Sequence, residues 1–251
     1  MNSFIYDKYG YYSSNENDFK FEYKNWHFEL ELTTMSNEEL LKVKEFLTSI
    51  PYFYKDKAAD VIFSRDKKLV INSLYGNVTL IAVKNSPVEV EDFLSFPFNF
   101  SHMGQGKQLK VSYLKDVWIN KTDNIEEKVL SRLKLDNFAY KTFMKYYIFN
   151  SGLAENAIQY LSDIIYLYGD NINNLTLTHK RIKNLTSYTF LNPMNFIIDF
   201  KGRDLSQLIK NNLLDINKLP LYLKKMNFTK QEASLLLARL LYPTGIYDLL
   251  E

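Results

Sequence analysis

Cysteine is absent from this sequence of 251 residues. Its absence excludes disulfide bonds, cysteine-ligated zinc sites and thiol nucleophiles, and it is compatible with a reducing compartment. Long apolar runs are absent as well, since no stretch approaches the ~20 apolar residues that a membrane-spanning helix needs. Residues 1–12 lack the apolar core of a signal peptide. These absences predict a cytoplasmic protein with no membrane span.

The chain has little net charge, because 31 Lys and Arg residues face 29 Asp and Glu residues, a balance of +2. That balance gives no reason to expect nucleic-acid binding through bulk charge. Hydrophobic residues make up 46% of the chain, which is typical of a globular protein. Aromatic residues reach 16%. They are explained either by an aromatic core with coding bias or by a Tyr-rich surface suited to assembly.

The motifs of several enzyme classes are also missing. The sequence contains no P-loop, no Rossmann glycine pattern and no serine-hydrolase elbow. A Gly-x-Gly at Gly104 and Gly106 is too short to indicate a phosphate site. His27 and His102 are isolated, and no cluster of His, Asp and Glu has the spacing of metal ligands. None of these motifs therefore assigns a function to the chain.

The first 84 residues are predicted to form a mostly antiparallel sheet with one helix. Residues 19–23 and 26–32 alternate apolar and polar side chains around a two-residue turn, which predicts a hairpin. A capping box at Ser36 begins a helix that we expect Pro51 to end. Further strands are predicted at residues 59–63, 69–74 and 78–83.

After Pro87 the pattern becomes helical, and Gly169 stands in the C-terminal cap position of one helix. Helices are predicted at residues 88–94, 109–119, 125–133, 137–150, 153–168, 204–211, 219–226 and 229–241. A loop is predicted at residues 96–106, and short strands at 175–182 and 196–200. We therefore expect a β-rich lobe with one helix at residues 1–84 and a helical lobe at residues 85–251.

One motif has the outline of a phosphotransferase active site. His179-Lys180-Arg181 follows an apolar segment, and an apolar strand ends in Asp199 twenty residues after the His. Arg181 stands two positions after the His, where a kinase-like enzyme needs a carboxylate. The motif therefore has the His and the Asp of such a site, but a positive charge at the position between them that needs a negative one.

The order of the elements and five segments resemble one known family. The segments are residues 152–161, 178–182, 192–199, 203–205 and 239–243. They are similar to the spore coat protein family of the CotS/YutH type, in the aminoglycoside-phosphotransferase branch of the protein-kinase-like fold. The likeness covers most of residues 100–251 and is weaker before them. It implies an α+β, two-lobed protein-kinase-like fold, with a β-rich N-terminal lobe and a mainly helical C-terminal lobe that is short at its C-terminus.

The resemblance implies four chemical parts, and the first two are not matched. A glycine-rich turn covers the phosphates in the family, but residues 9–14 contain one glycine and no phosphate-cradling pattern. A lysine of the third strand contacts the phosphates, but residues 26–32 offer Glu29 and Glu31, which would repel a triphosphate. Lys84, at the end of another predicted strand, is the alternative lysine.

The other two parts are partly matched. Arg181 replaces the Asp that orients the acceptor hydroxyl, which removes the proton acceptor. Thr186 falls where the metal-binding Asn is expected, and a short shift would bring Asn184 there. Asp199 matches the second metal-binding Asp, so the resemblance makes it the candidate magnesium ligand.

Structural roles are open for the same residues. His179 is expected to order its loop and not to act as a base. Lys180 and Arg181 are expected to pair with local acids or to lie exposed, and binding of a phosphate or carboxylate is the alternative. An ion pair of Arg181 with Asp199 would fill the vacated metal site. Arg203 and Asp204 are expected to tie the following helix to the loop.

These observations predict a catalytically degenerate, kinase-like protein, a pseudokinase that acts by binding or assembly without a cofactor. The resemblance implies a place in the bacterial spore coat, with other coat or assembly proteins as partners. No nucleic acid is expected, and a small-molecule ligand is not identified. An active, divergent small-molecule phosphotransferase that uses ATP and Mg is the first alternative. A nucleotide-binding sensor without catalysis is the second.

Overall fold

The computed structural model describes residues 2–12, 19–131 and 138–250. Contacts divide the chain into two compact units. Unit 1 comprises Met1–Ser95 and His179–Ile197, and unit 2 comprises Phe96–Thr178 and Ile198–Glu251. The lobe boundary after residue 84 stays a prediction, and the segment His179–Ile197 was not expected to belong with the N-terminal residues.

Within the described residues, the strands and helices follow the chain in alternating groups. The strands are β1 (Lys20–Tyr23), β2 (Trp26–Leu32), β3 (Ala59–Ile62), β4 (Ile71–Ser73), β5 (Gly76–Lys84), β6 (Leu109–Lys110), β7 (Asn171–Ile172), β8 (Thr176–His179) and β9 (Phe196–Asp199). The helices are α1 (Asn2–Tyr9), α2 (Asn37–Leu47), α3 (Ile50–Phe53), α4 (Val90–Asn99), α5 (Val111–Ser131), α6 (Phe138–Tyr168), α7 (Ser187–Leu191), α8 (Arg203–Lys210), α9 (Leu219–Met226), α10 (Lys230–Leu241) and α11 (Thr244–Leu250).

Unit 1 is built on an antiparallel sheet in the order β1-β2-β5-β3, with β4 also paired to β5. The predicted hairpin is confirmed, since β1 pairs with β2 in antiparallel register. Its two turn residues, Lys24 and Asn25, have φ angles of 46° and 65°. Both lie in the left-handed region that a two-residue hairpin turn requires. The hairpin therefore forms without a glycine.

The two faces of this sheet differ in character, because successive side chains of a strand point to opposite sides. One face carries Phe21, Phe28 and Leu80, which pack with Ile5 and Tyr9 of α1 in a buried apolar cluster. The opposite face of β2 carries three polar residues, namely His27, Glu29 and Glu31. They stand opposite Val83, Ile81 and Thr79 of β5. Helix α7 packs against β5.

Unit 2 contains the long helices. Helix α6 packs against α5 and α10, and α10 also packs against α8. Gly169 ends α6 at a φ of +88°, as its predicted cap role requires. The next residue, Asp170, accepts hydrogen bonds at 2.7 Å from the Ser112 amide and at 2.8 Å from the Ser112 hydroxyl, near the start of α5. Among the described residues, none of the helices is both long and apolar enough to cross a membrane.

Several predicted elements are wrong in their extent. Helix α2 ends at Leu47, and Pro51 does not end it but lies at the start of α3, where its missing N–H is not needed. Helix α4 continues through Pro97 to Asn99, so the predicted loop begins too early. The buried Phe93 and Phe96 of α4 help to offset the cost of a helical proline.

The two predicted breaks in the long helices are also wrong, and four helices were not predicted. Helix α6 runs through Gly152, whose cost of about 1 kcal/mol is offset by buried side chains that follow it, such as Ala154 and Leu161. Helix α5 is continuous over a predicted gap. Leu133 and Asn137, two predicted helix ends, lie outside the described residues, as do Ser13 and Ser14. The helices that were not predicted are α1, α3, α7 and α11.

Candidate functional site

His179 ends β8 and is fully buried. Its Nε2 lies 2.9 Å from the carbonyl oxygen of Phe190, so Nε2 carries the proton and donates it. The imidazole ring also contacts the rings of Phe93, at a centroid distance of 5.0 Å, and of Phe196, at 5.6 Å. These are the contacts of a residue that orders a loop.

The backbone of the next two residues is held by Asn195. The Lys180 amide donates to the Asn195 carbonyl at 2.6 Å, and the Arg181 amide donates to Asn195 Oδ1 at 2.9 Å. The amide nitrogen of the Asn195 side chain donates to the Arg181 carbonyl at 2.7 Å and to the Thr189 carbonyl at 3.0 Å. Both Lys180 and Arg181 are exposed side chains. These bonds therefore order the loop, although position 181 holds an arginine and not a carboxylate.

The two positions considered for the metal-binding Asn serve the start of α7. Thr186 is the N-cap, and its hydroxyl accepts a hydrogen bond from the Thr189 amide at 3.2 Å. Asn184 Oδ1 accepts from the Thr186 hydroxyl at 2.9 Å and from the Thr189 hydroxyl. Capping satisfies amides that a helix terminus leaves without partners. Both side chains thus have local structural bonds.

Asp199 ends β9 with 4% of its surface exposed. Arg203 Nη1 donates to Asp199 Oδ2 at 2.6 Å, and Arg239 Nη2 lies 2.9 Å from Oδ1 and 2.8 Å from Oδ2. The Phe200 amide donates to Oδ1 at 2.7 Å. Each carboxylate oxygen therefore accepts two hydrogen bonds.

The charges around this carboxylate do not fit a divalent cation. One negative charge, on Asp199, faces two positive charges, on Arg203 and Arg239. Magnesium binds to oxygen ligands in near-octahedral geometry, and the two guanidinium groups take the lone pairs that it would use and repel it. The assignment of Asp199 as a metal ligand stays an untested prediction. No group of three or more His, Cys, Asp or Glu side chains within the described ranges could hold a metal ion.

Arg239 is the site residue that sequence reasoning missed. It lies in α10, 40 residues after Asp199, and its guanidinium stands 5.2 Å from the Phe200 ring centroid. Burial lowers the pKa of Arg239, the nearby charge of Arg203 adds to that shift, and Asp199 opposes it. The available signal was a single charge between Ala238 and Leu240 in an otherwise apolar helical run.

Arg203 and Asp204 lie where the sequence predicted, in the first turn of α8. The Arg203 amide donates to the Phe200 carbonyl at 3.0 Å, which joins the helix to the end of β9. Asp204 is fully buried. Arg181 and Asp199 belong to different units, so their ion pair stays a prediction.

Strand β2 carries carboxylates at the place where the resemblance implied a lysine. Glu29 pairs with Lys20 at 2.7 Å and with His27 at 3.4 Å. Burial would raise the pKa of Glu29, but His27 and Lys20 outweigh it and lower this pKa. Glu31 Oε1 accepts hydrogen bonds from the Tyr188 hydroxyl at 2.6 Å and from Asn192 Nδ2 at 2.8 Å. Lys84, the alternative lysine, is the last residue of β5.

Comparison with known proteins adds a family and a fold. Residues 2–251 match the model of a family described as spore coat putative kinase YutH. No curated protein matches the chain.

Among solved structures, an aminoglycoside phosphotransferase from Alicyclobacillus acidocaldarius subsp. acidocaldarius DSM 446 aligns with a TM-score of 0.56 and 9% identity, over 92% of this chain and 80% of that chain. The AMP complex of spectinomycin phosphotransferase APH(9)-Ia aligns with a TM-score of 0.54 and 12% identity, over 98% and 87% of the two chains. Its complex with ADP and spectinomycin gives 0.50 and 12%, over 97% and 85%. These alignments confirm the predicted α+β, kinase-like fold class, and at such identities they show the fold alone.

Proposed function

The chain belongs to the spore coat putative kinase YutH family, and we propose that it is a catalytically degenerate, kinase-like component of the spore coat. In this proposal it acts by binding and assembly. The kinase-like fold is kept as a scaffold, and phosphoryl transfer is lost.

The state of Asp199 is the observation that carries the proposal. It is the one carboxylate that matches a metal ligand of the family, and it is buried with two arginines bound to it. Phosphoryl transfer depends on metal ions and positioned charge to neutralise the transferring group. A carboxylate with both oxygens bound to guanidinium groups does not supply a magnesium site. The chemistry therefore lacks its electrostatic centre.

Arg181 supports the same conclusion from a second position. An arginine cannot accept the proton of a substrate hydroxyl, because its guanidinium group donates hydrogen bonds and offers no acceptor. Hydrogen bonds of His179 and Asn195 keep this loop ordered, which supports a reversal of charge within a retained framework. Glu31 adds a third mismatch, since it places a negative charge where the family places a lysine.

Exposed aromatic side chains supply the surfaces for assembly. In unit 2 they include Tyr113 on α5 and Tyr146, Phe149 and Tyr166 on α6, of which Tyr166 is 89% exposed. Aromatic residues are enriched at protein interfaces, where they combine large contact area with polar edges. We propose that contacts with other coat proteins use these residues.

Nucleotide-dependent thermal stabilisation tests the loss of catalysis. The full chain is heated with ATP and Mg²⁺, with ATP alone and with neither, and ADP formation is measured in parallel. A ligand that binds the folded state at 100 times its Kd stabilises it by about 2.7 kcal/mol. We expect no magnesium-dependent stabilisation and no ADP.

The other outcomes select the alternatives. Stabilisation by ATP and Mg²⁺ with ADP formation, both lost in Asp199→Ala, would establish an active phosphotransferase and overturn the proposal. Stabilisation without ADP formation would identify a nucleotide-binding sensor. Asp116→Ala, a change at an exposed carboxylate of α5, is the matched control.

Coat association is tested separately in sporulating cells. A tagged chain is expected to fractionate with the coat, and the Arg181→Asp variant is expected to fractionate equally, because assembly in this proposal uses no catalysis. Recovery of both proteins only from the soluble fraction would refute the coat role.

A further inference from the structure

The segment His179–Ile197 has an unusual place in the chain. By its contacts it belongs to unit 1, although the residues on both sides of it, Phe96–Thr178 and Ile198–Glu251, form unit 2. Its helix α7 buries Phe190 and Leu191 completely. The Phe190 ring contacts Tyr54 at a centroid distance of 5.1 Å. We call this segment the strap.

Glu31 of the sheet makes polar contacts with the strap. Its Oε1 accepts from both Tyr188 and Asn192, which lie 157 and 161 residues away in sequence. Hydrogen bonds to an ionised carboxylate are about twice as strong as bonds between neutral groups. The Tyr188 ring also stands edge-on to His27, at a centroid distance of 4.8 Å.

The strap is held together by its own bonds and does not need the sheet for them. Asn195 bonds to the backbones of Lys180, Arg181 and Thr189. Asn192 Oδ1 accepts from the Met194 amide at 2.9 Å. A segment with such internal bonds keeps its shape when its external contacts break.

We propose that the strap opens from the sheet as one body and that the Glu31 carboxylate is its fastening point. Local openings of this kind occur at free energies below that of global unfolding, in cooperative units of the chain. The proposal holds whether or not the protein transfers phosphate. It provides a way to uncover the polar face of β2 while the sheet stays folded.

Cysteine labelling measures the opening, since the native chain has no cysteine to give background. Ser187→Cys places a thiol at a buried position of α7, and Ala82→Cys places one in the apolar cluster of the sheet. The first thiol reacts when the strap opens, and the second reacts when the sheet opens. We expect Ser187→Cys to be labelled faster than Ala82→Cys in the native background.

Glu31→Ala should accelerate labelling of Ser187→Cys about tenfold or more, because it removes the acceptor of two charge-assisted bonds. It should leave labelling of Ala82→Cys unchanged. Tyr188→Phe, which removes one hydroxyl, should act in the same direction by a smaller factor, and it serves as the test if Glu31→Ala does not fold. Glu22→Gln is the matched control, on the same face of the sheet with a side chain that is 71% exposed.

Two results would overturn the proposal. In the first, Ser187→Cys and Ala82→Cys react at equal rates in every background, so that no separate opening exists. In the second, Glu31→Ala and Tyr188→Phe leave the ratio of the two rates unchanged, so that Glu31 does not fasten the strap. Neither result bears on ADP formation or coat association.

Discussion

Replacement of Arg239 should destabilise the native protein and stabilise a protein that lacks the Asp199 charge. In the native state Arg239 and Arg203 share one buried carboxylate. The effect of removing either partner therefore depends on which charges remain. Substitutions in Asp199, Arg203 and Arg239 therefore test whether these three charges interact as the structure indicates.

The magnitudes follow from burial. Removal of one partner of a buried ion pair costs about 3–5 kcal/mol when a charge is left uncompensated. Asp199→Asn leaves two partly buried guanidinium groups without the carboxylate between them, so we expect a loss in that range. Arg239→Met leaves Asp199 paired with Arg203 and bonded to the Phe200 amide, so we expect about 1–2 kcal/mol. In the Asp199→Asn background, Arg239→Met should restore about 1 kcal/mol or more, because it removes a repulsion.

Urea unfolding of the four proteins, followed by circular dichroism, gives the free energies for this double-mutant cycle. A calorimetric scan gives a second reading, at about 2–4 °C per kcal/mol for a chain of this size. Asp116→Asn, an exposed carboxylate on α5, should change stability by less than ~0.5 kcal/mol. If Arg239→Met lowers stability equally in both backgrounds, the charges do not interact as described and the reasoning fails.

Three further predictions concern other parts of the molecule. Gly104→Ala should destabilise the protein by several kcal/mol, because a Cβ there would lie 1.9 Å from the Leu175 carbonyl oxygen. Gly152→Ala should stabilise α6 by about 0.5–1 kcal/mol, because a Cβ there would meet nothing within 4 Å beyond its chain neighbours and the adjacent helix backbone. Urea unfolding checks both signs. Hydrogen bonds from the Ser112 amide and hydroxyl hold the pKa of Asp170 below its ordinary 3.8. Wild type should therefore be more stable than Asp170→Asn by its full margin above that pH, and the margin should shrink as the pH falls through the lowered pKa. Unfolding free energies measured between pH 2 and 7 check this. Tyr166→Ser should leave the unfolding free energy within ~0.5 kcal/mol and lower recovery in the coat fraction, whereas unchanged recovery would remove Tyr166 from the assembly surface.

Local signals in the sequence predicted the parts of the fold that they control. The capping box predicted at Ser36 is present and begins α2, and a second capping box at Thr229 begins the predicted helix α10. The Gly169 cap and the Lys24-Asn25 turn are also as expected. Each of these features depends on residues within a few positions of one another, so the sequence alone contains the information.

Longer-range features were beyond such reasoning. The bond between Glu31 and Asn192 joins residues 161 positions apart. Periodicity of apolar residues predicts local elements and gives no information on contacts at that separation. For Asp199 the sequence suggested Arg181 as the fixed cation, and the structure places Arg239 and Arg203 on the carboxylate. The predicted break between residues 150 and 153 is absent because the packing of α6 outweighs the low helix propensity of Gly152.

The Asn195 side chain bonds to the main chain of Arg181 and Thr189 and not to their side chains. Every bond that it makes to Arg181 uses the amide or the carbonyl of the main chain. A substitution at position 181 therefore leaves these bonds in place whatever residue it introduces, proline excepted. The loop can therefore carry either an acid or a base at position 181 and keep the shape that these bonds give it. A change of charge at position 181 therefore meets little structural resistance from the contacts that order the loop.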